Sequence, residues 1–432
     1  MSREFLSILP IILVFVLYFL NVPIVFCLFA STLFYFFVID KGTSPVLVFQ
    51  KFITSTQNFS LLAIPFFIMA GSIMNYSGIS EKLMDFADVL TGHLKGGLGH
   101  VNVVLSLLMG GVSGSANADA AMQSKMLVPE MIKKGYSNAF SSAITAASSA
   151  VTPVIPPGIN LIIYGIIASV SVNKMFIAGY IPGILMAGSL MVVVAIIANK
   201  RDYQPTRERR ATAVEVLTQA LKSFWALLFP FGIIASIRIG MVTPSEAGAV
   251  AILYSTVVGF FIYRRLKPSD FINIFKETIY GTGSVVLIIV AANVFGYYLS
   301  WEQIPQKLTT FLLGITTNKY AMLMICNLVL LVLGMFIEGG AAMVITAPLL
   351  VPLVTQLGVD PLHFGLVVIV NIMVGGITPP FGSMMFTVCG ITRCSIQEFI
   401  KEVWPFILAI LIVLILITYV PSIVLFLPNL LG

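Results

Sequence analysis

The sequence predicts an all-α polytopic membrane protein made of inverted-topology repeats, with two re-entrant hairpins and two broken helices. Three observations predict this class. Hydrophobic residues make up 58% of the 432 residues and charged residues 10%, with a mean hydropathy of +1.02, far from the roughly half-apolar, quarter-charged composition of soluble domains. Apolar segments of about 17–25 residues, the length needed to cross a hydrocarbon layer of roughly 30 Å, recur from end to end. Shifted by 223 residues, the stretch 111–185 also falls on 334–408 without a gap. Gly111 meets Gly334, Leu127-Val128-Pro129 meets Leu350-Val351-Pro352, Gly135 meets Gly358, Pro156-Pro157 meets Pro379-Pro380, and Phe176-Ile177 meets Phe399-Ile400. Repeats whose matching apolar segments are interrupted by Gly and Pro point to a secondary transporter with its site at the repeat interface.

In chain order, spans are expected near 5–20, 23–39, 61–76, 138–169, 176–198, 224–239, 244–263, 279–299, 362–390 and 403–427. The first is read as a retained span rather than a signal peptide, because no small-residue cleavage site follows it and a second span begins at once. Stretches 99–131 and 321–354 are broken mid-length by small and polar residues and read as the re-entrant hairpins. Segments 78–97 and 301–319, which precede them, have the mixed charge of helices lying along the interface. Ten crossings put both termini on one side and give five per half, so the second half starts on the opposite face.

Loop charge orients this arrangement. Segments 77–97, 132–137, 199–222, 264–278 and 391–401 hold sixteen of the 24 Lys and Arg. Arg3, Lys41, Lys51, Lys174, Arg238, Lys307 and Lys319 fall on the other face. The positive-inside rule makes the first set cytoplasmic and both termini periplasmic. The longest hydrophilic run, 199–222, reads as a basic orientation anchor. The net charge of +6 is explained by this sorting, with membrane lipid as the surrounding partner and no nucleic acid.

Composition also excludes several chemistries. Cys27, Cys326, Cys389 and Cys394 lie in or beside apolar segments without C-x-x-C spacing, so neither a disulfide framework nor a zinc site is expected. His93, His100 and His363 stand outside any H-E-x-x-H context. No G-x-x-x-x-G-K-[ST] motif occurs, in keeping with a process not driven by nucleotide.

The chemistry is expected at the breaks. The first hairpin turns through Gly110-Gly111-Val112-Ser113-Gly114-Ser115-Ala116-Asn117-Ala118-Asp119. A central Asp at membrane depth costs at least roughly 2.5–3.5 kcal/mol, which makes Asp119 a functional candidate with a cation as its natural partner; the other reading is a cap on a short helix. The next span is broken at Val151-Thr152-Pro153-Val154-Ile155-Pro156-Pro157-Gly158. Its three prolines cannot continue a helix. The carbonyls from Val151 to Pro157 are expected to be unpaired, in a setting that suits Na⁺; the other reading is a plain proline kink. The second copy repeats both breaks, at Phe336-Ile337-Glu338-Gly339-Gly340-Ala341-Ala342 and at Val374-Gly375-Gly376-Ile377-Thr378-Pro379-Pro380. The copies differ, since Ser113 maps to Phe336 and Asp119 to Ala342. Two unequal cation sites are therefore expected, the second built from backbone carbonyls with Thr378. Half-helix N-termini after Pro157-Gly158 and Pro380-Phe381, with Asn160 and Ser383, would face an anionic substrate.

The G-G-V-S-G-S-A-N-A-D-A run at 110–120, the V-I-P-P-G turn at 154–158, the T-P-S-E-A-G-A run at 243–249 and the G-G-I-T-P-P turn at 375–380 resemble the large membrane subunit of tripartite ATP-independent periplasmic transporters. The resemblance covers essentially the whole chain, with its motifs in order. It implies an elevator-type fold of the ion-transporter superfamily, a transport domain moving against a scaffold. It further implies Na⁺-driven uptake of an organic anion, such as a dicarboxylate or a sialic acid, delivered by a periplasmic binding protein across a bacterial inner membrane. The implied division is 1–97 scaffold and arm, 98–198 first transport half, 199–320 basic loop, scaffold and arm, and 321–432 second transport half. The implied first sodium site uses Ser113 and Asp119 with carbonyls at Val151, Val154 and Pro157. The second uses Gly339, Gly340, Val374, Ile377, Thr378 and Pro380. Ser115, Asn117, Asn160 and Ser383 are the substrate candidates. Some family members fuse a small four-helix subunit ahead of the large one; here the chain opens directly on its first span, so that subunit is expected as a separate protein.

Two rival readings stay open on sequence. Gly111-Val112-Ser113-Gly114 matches the G-x-S-G of intramembrane serine proteases, with a histidine such as His363 as the base. An intramembrane Asp also serves a proton-coupled carrier, or one that needs no binding protein.

Overall fold

The computed structural model describes residues 3–20, 22–40, 46–57, 59–238 and 241–431. Lys41, assigned above to the periplasmic face, lies outside the described residues, as do the side chains of Arg3 and Arg238. Among the described residues the structure is helical, with no strand. The first half comprises α1 (Arg3–Phe19), α2 (Ile24–Phe34) prolonged by a π-helical turn (Tyr35–Ile39), α3 (Val46–Ser55), α4 (Ala63–Ser77) and α5 (Ile79–Thr91). It continues through α6 (Gly97–Gly110), α7 (Ala116–Lys133), α8 (Asn138–Ser149), α9 (Ile159–Ile167) and α10 (Val172–Arg201). After α11 (Ala213–Lys222), the second half comprises α12 (Phe224–Arg238), α13 (Pro244–Val257) with its own π-helical turn (Val258–Ile262), α14 (Asp270–Trp301) and α15 (Ile304–Ile315). It ends with α16 (Lys319–Phe336), α17 (Gly339–Gln356), α18 (Pro361–Ile377), α19 (Ser383–Thr392), α20 (Ile396–Tyr419) and α21 (Pro421–Leu431).

The offset of 223 extends well beyond the stretch where sequence revealed it. It carries α7 onto α17 at both ends, the start of α8 onto that of α18, and one π-helical turn onto the other, residue for residue. Among the described residues, six helices are long and apolar enough to cross a membrane: Val172–Arg201, Pro244–Ile262, Asp270–Trp301, Lys319–Phe336, Gly339–Gln356 and Ile396–Tyr419. The spans expected near 138–169 and 362–390 are each split, into α8 with α9 and α18 with α19.

Three expectations change. The span expected at 403–427 begins earlier and ends at Tyr419, because Pro421 opens a new helix and Val420 before it takes a non-helical conformation (φ −121°, ψ 78°). Helix α3 occupies a segment read as a loop. The basic run 199–222, expected simply as an orientation anchor, is also folded onto neighbouring helices. Arg207 pairs with Asp88 at 3.0 Å, Thr206 donates to the same carboxylate at 2.6 Å, and Tyr203 stacks on Tyr136 at 4.3 Å. The run ends in α11, opened by a Thr212–Glu215 capping box, whose Val214, Leu217 and Leu221 form an exposed apolar stripe suited to the membrane interface.

Local chemistry explains the boundaries. In the T-P-S-E run, Thr243 and Glu246 form a reciprocal capping box with Pro244 at the first helical position. The glycine of that run lets α13 lie against α4, since a Cβ on Gly248 would stand 2.7 Å from Phe66 Cβ. Helix α2 packs on α1 and α14, and α4 on α13 and α14, forming one group. The hairpins and broken helices form another, with crossed partners: α7 packs on α19 while α17 packs on α9. Each first hairpin arm is also clasped to its broken helix through a buried amide. Asn102 donates to Thr145 at 2.7 Å and accepts from Ser148 at 2.6 Å, and Asn371 donates to Asn327 at 2.7 Å. In lipid such interhelical hydrogen bonds supplement the close packing of small residues. Gly334 and Gly375 supply that closeness between α16 and α18, where a Cβ on Gly375 would sit 2.6 Å from the Gly334 Cα. Substituting Gly375→Leu is expected to force these helices apart at about 1–3 kcal/mol or more, read as a lower unfolding temperature and loss of the monodisperse peak of the detergent-solubilised protein.

Candidate functional site

The first break is wholly buried from Val151 to Gly158. The expectation that all its carbonyls are unpaired is corrected at Val151, whose carbonyl accepts from the amides of Val154 (3.0 Å) and Ile155 (3.3 Å). Prolines stop the helix, and the chain recovers part of the lost bonding in a tight turn. Among the described residues, the Val154 and Pro157 carbonyls accept no such bond. The Val154 carbonyl lies against Gly179 of α10, and the Pro157 carbonyl against Gly114 at the hairpin tip. The Gly114 carbonyl in turn accepts the Ile159 amide at 3.3 Å, tying the tip to the start of α9. The Pro156–Pro157 and Pro379–Pro380 peptide bonds are both cis.

Asp119 stands one turn into α7 and is fully buried. One carboxylate oxygen has three neighbours: the Ser106 hydroxyl at 2.8 Å, the Gln123 amide at 2.9 Å and the Thr152 hydroxyl at 2.8 Å. The other oxygen has no hydrogen-bond partner among the described residues. Neither have Ser113 Oγ, Asn117 Oδ1, Gln123 Oε1 and Ser124 Oγ, all buried on the same hairpin. Desolvated oxygens left without donors carry a penalty of about 1–3 kcal/mol each. A cation bound by oxygen ligands removes that penalty and the charge together. The cap reading of Asp119 is not what the geometry shows, because Ser115 caps α7, accepting from the Ala118 amide at 3.5 Å.

The second break is shorter and more open. Helix α18 runs on to Ile377, so Val374 and Ile377 sit in its last turn rather than in a non-helical loop, a correction to the expected break at 374–380. Helix C-termini leave their last carbonyls without intrahelical partners. Here Thr378 answers two of them, its hydroxyl donating to Val374 at 2.6 Å and its amide to Gly375 at 2.9 Å. Pro380 and Phe381 are exposed, and Phe381 packs on Phe336, the residue that replaces Ser113.

Between the breaks lies a cavity lined by all four substrate candidates: Ser115, Asn117, Asn160 and Ser383. Gly339 and Gly340 line it too, so both hairpin tips and both broken helices face the same space. Residues on elements more than 250 positions apart in the chain meet there, as the repeat pattern requires.

Sequence reasoning missed Glu338. It also lines the cavity, and its carboxylate caps α17 by accepting from the Gly340 and Ala341 amides at 3.1 and 3.4 Å. The signal was present, because the 223 offset places Glu338 on Ser115 and both residues are N-caps. Ser106, Gln123 and Thr152 were missed as well; only Gln123, four residues along the helix from Asp119, was legible. The protease arrangement is absent: Ser113 Oγ has no hydrogen-bond partner, and the His363 ring nitrogen is held 2.7 Å from the Ile417 carbonyl.

Comparison with known proteins places this architecture. The family model described as "Tripartite ATP-independent periplasmic transporter, DctM component" matches residues 11–423. The chain is 38% identical over 397 residues to the sialic acid TRAP transporter large permease protein SiaM of Vibrio cholerae, covering 91% of this chain and 92% of that one. It is 35% identical over 382 residues to the C4-dicarboxylate TRAP transporter large permease protein DctM of Pseudomonas aeruginosa, covering 88% and 89%. The crystal structure of the Alcanivorax borkumensis YdaH transporter, titled as revealing an unusual topology, superposes with a TM-score of 0.60 at 13% identity, over 86% of this chain and 87% of that one. That likeness is one of fold. Removing the cap by Glu338→Ala is expected to destabilise α17 by about 0.5–2 kcal/mol, seen as a lower unfolding temperature that Glu338→Asp largely restores.

Proposed function

Because the chain belongs to the DctM component family of tripartite ATP-independent periplasmic transporters, a transporter component rather than an enzyme, we propose that it couples Na⁺ entry to uptake of an organic anion. The anion is a carboxylate of the dicarboxylate or sialic acid kind, classes named for its relatives. A periplasmic substrate-binding protein delivers it, and a separate small four-helix subunit completes the complex in the bacterial inner membrane, with both termini periplasmic. The single observation that carries the reading is the shared cavity, where the four candidate polar residues meet. Beside it, the orphaned oxygens of Ser113 and Asp119 suit Na⁺ at the first site. Its Pro157 carbonyl, against the hairpin tip, is better placed for this role than that of Val154, which faces α10. The second sodium site uses the carbonyls of Val374, Ile377 and Pro380 with Thr378 and the Gly339-Gly340 turn.

Access alternates by an elevator movement. The group of hairpins and broken helices carries the cavity as a body past the group formed by α1, α2, α4, α13 and α14. Helices α5 and α15, which join the groups in sequence, act as arms. A proton-coupled carrier is the second reading, favoured by the same buried carboxylate with one unserved oxygen. The two separate in one experiment.

The complex is reconstituted with its binding protein and small subunit, and uptake of N-acetylneuraminate and of succinate is followed with and without an inward Na⁺ gradient. Uptake of one of them is expected to need the Na⁺ gradient; uptake that followed pH and ignored Na⁺ would refute Na⁺ coupling. Asp119→Ala is expected to abolish transport in a protein that still folds, and Ser113→Ala to raise the Na⁺ concentration for half-maximal uptake. Wild-type Na⁺ dependence in Asp119→Ala would remove that residue from the site.

A further inference from the structure

The central cavity is flanked by two larger chambers. One, of about 1200 Å³, is lined by Ser72, Asn75, Ser113, Lys125 and Glu277 among others. The other, of about 1170 Å³, is lined by Lys51, Thr54, Tyr297, Val344 and Pro348 among others. The 223 offset relates them: Ala121, Lys125 and Glu277 of the first correspond to Val344, Pro348 and Thr54 of the second. They are pseudo-symmetric counterparts, one in each half of the repeat. Among the described residues, the first borders the central cavity, with Ser115, Ile159 and Val285 lining both spaces, whereas the second shares no lining residue with it.

Helix α7 presents different chemistry to its two sides. Asp119 and Gln123 point into the buried core, whereas Ala118, Ala121, Met122 and Lys125 line the chamber. Lys125 is exposed there and forms no ion pair among the described residues. On the far wall Glu277 of α14 is held by the hydroxyls of Ser72 and Tyr76, the latter at 2.9 Å. The lysine of the other chamber is engaged, since Lys51 lies over the Tyr297 ring at 5.3 Å. An ionised lysine midway along a membrane hairpin arm is expensive unless it faces water or a partner. Lys125 faces the chamber that borders the central cavity.

Resting on the reading of this chain as an organic-anion transporter, we propose that Lys125 is the counter-charge onto which the substrate anion passes as it leaves the central cavity for the cytoplasmic side. Glu277, fixed across the chamber, competes for the lysine and frees the anion. Lys125 and Glu277 sit on the two groups of helices that slide past each other in the proposed elevator movement, so the hand-over is available only when the cavity faces this chamber. Pro348, the symmetry mate of Lys125, leaves the other chamber without an equivalent charge on its hairpin. The two chambers therefore treat the anion differently.

The test uses the reconstituted complex and counterflow of the probe, N-acetylneuraminate or succinate, with no Na⁺ gradient imposed. Lys125→Met is expected to slow counterflow about tenfold, the scale of one lost charge contact, while Lys125→Arg stays near wild type. In Lys125→Cys, a quaternary-ammonium methanethiosulfonate added from the cytoplasmic side should restore counterflow and the sulfonate reagent should not. The native cysteines are buried, and unmodified wild type controls for them. Wild-type counterflow in Lys125→Met, equal rescue by both reagents, or no labelling of Lys125→Cys from the cytoplasmic side would each overturn the proposal. Labelling needs no substrate, so it places the chamber even if neither probe is transported. Loss of Na⁺ dependence in the wild type would refute the coupling reading and leave the counterflow comparison standing.

Discussion

A peptide group inside hydrocarbon has no water to bond, so its N–H and C=O must find partners within the protein. That constraint governs the rest of the structure. Within the two broken spans, helices meet it except at 150–158 and 378–382, where prolines interrupt the ladder. Those two interruptions survive because other elements are folded over them. The first hairpin brings the Gly114 carbonyl to the Ile159 amide, and the Thr378 side chain and amide answer the last carbonyls of α18. Both hairpins turn inward to close around the breaks, and the space they enclose is the cavity. A cavity with a few polar groups in its wall is here the by-product of covering two proline breaks.

The copies meet the constraint in different ways, and the difference sorts their roles. In the first, a fully buried turn lies beside an acidic residue with one carboxylate oxygen that accepts no hydrogen bond among the described residues. In the second, the carboxylate sits four positions earlier, at Glu338, where it is spent on capping α17 while facing the cavity. Duplication supplied the frame, and a small number of exchanges, Ser113 for Phe336, Asp119 for Ala342 and Glu338 for Ser115, made the two halves unequal.

Much of this was legible in the chain before any coordinates. The span positions followed from apolar length, the breaks from Pro153, Pro156 and Pro157 and from their counterparts Pro379 and Pro380, and the meeting of Ser115, Asn117, Asn160 and Ser383 from the repeat. What escaped depends on contacts that no periodicity encodes. Ser106 and Thr152 are 46 residues apart and reach Asp119 only after three elements pack. The continuation of α18 through Gly375 and Gly376 ran against the low helix propensity of glycine, which the close approach of α16 overrides. The order in the basic run 199–222 came from Asp88, Tyr136 and Gly92, none of them in that run. At Val420 a lone Pro421 ended a helix inside an otherwise unbroken apolar stretch, where length alone argued for continuity.

The crossed packing of α7 on α19 and α17 on α9 bears on how the protein is made. The second segment of each broken helix, α9 or α19, packs on a hairpin arm from the other half of the chain. The ribosome completes Gly158 some 225 residues before Ser383, an interval of roughly 10 to 50 s at about 5–20 residues per second. Throughout that time the first half sits in the bilayer with its polar groove unroofed. Until α17 and α19 follow, neither α9 nor α7 has the inter-half packing partner it holds in the finished fold.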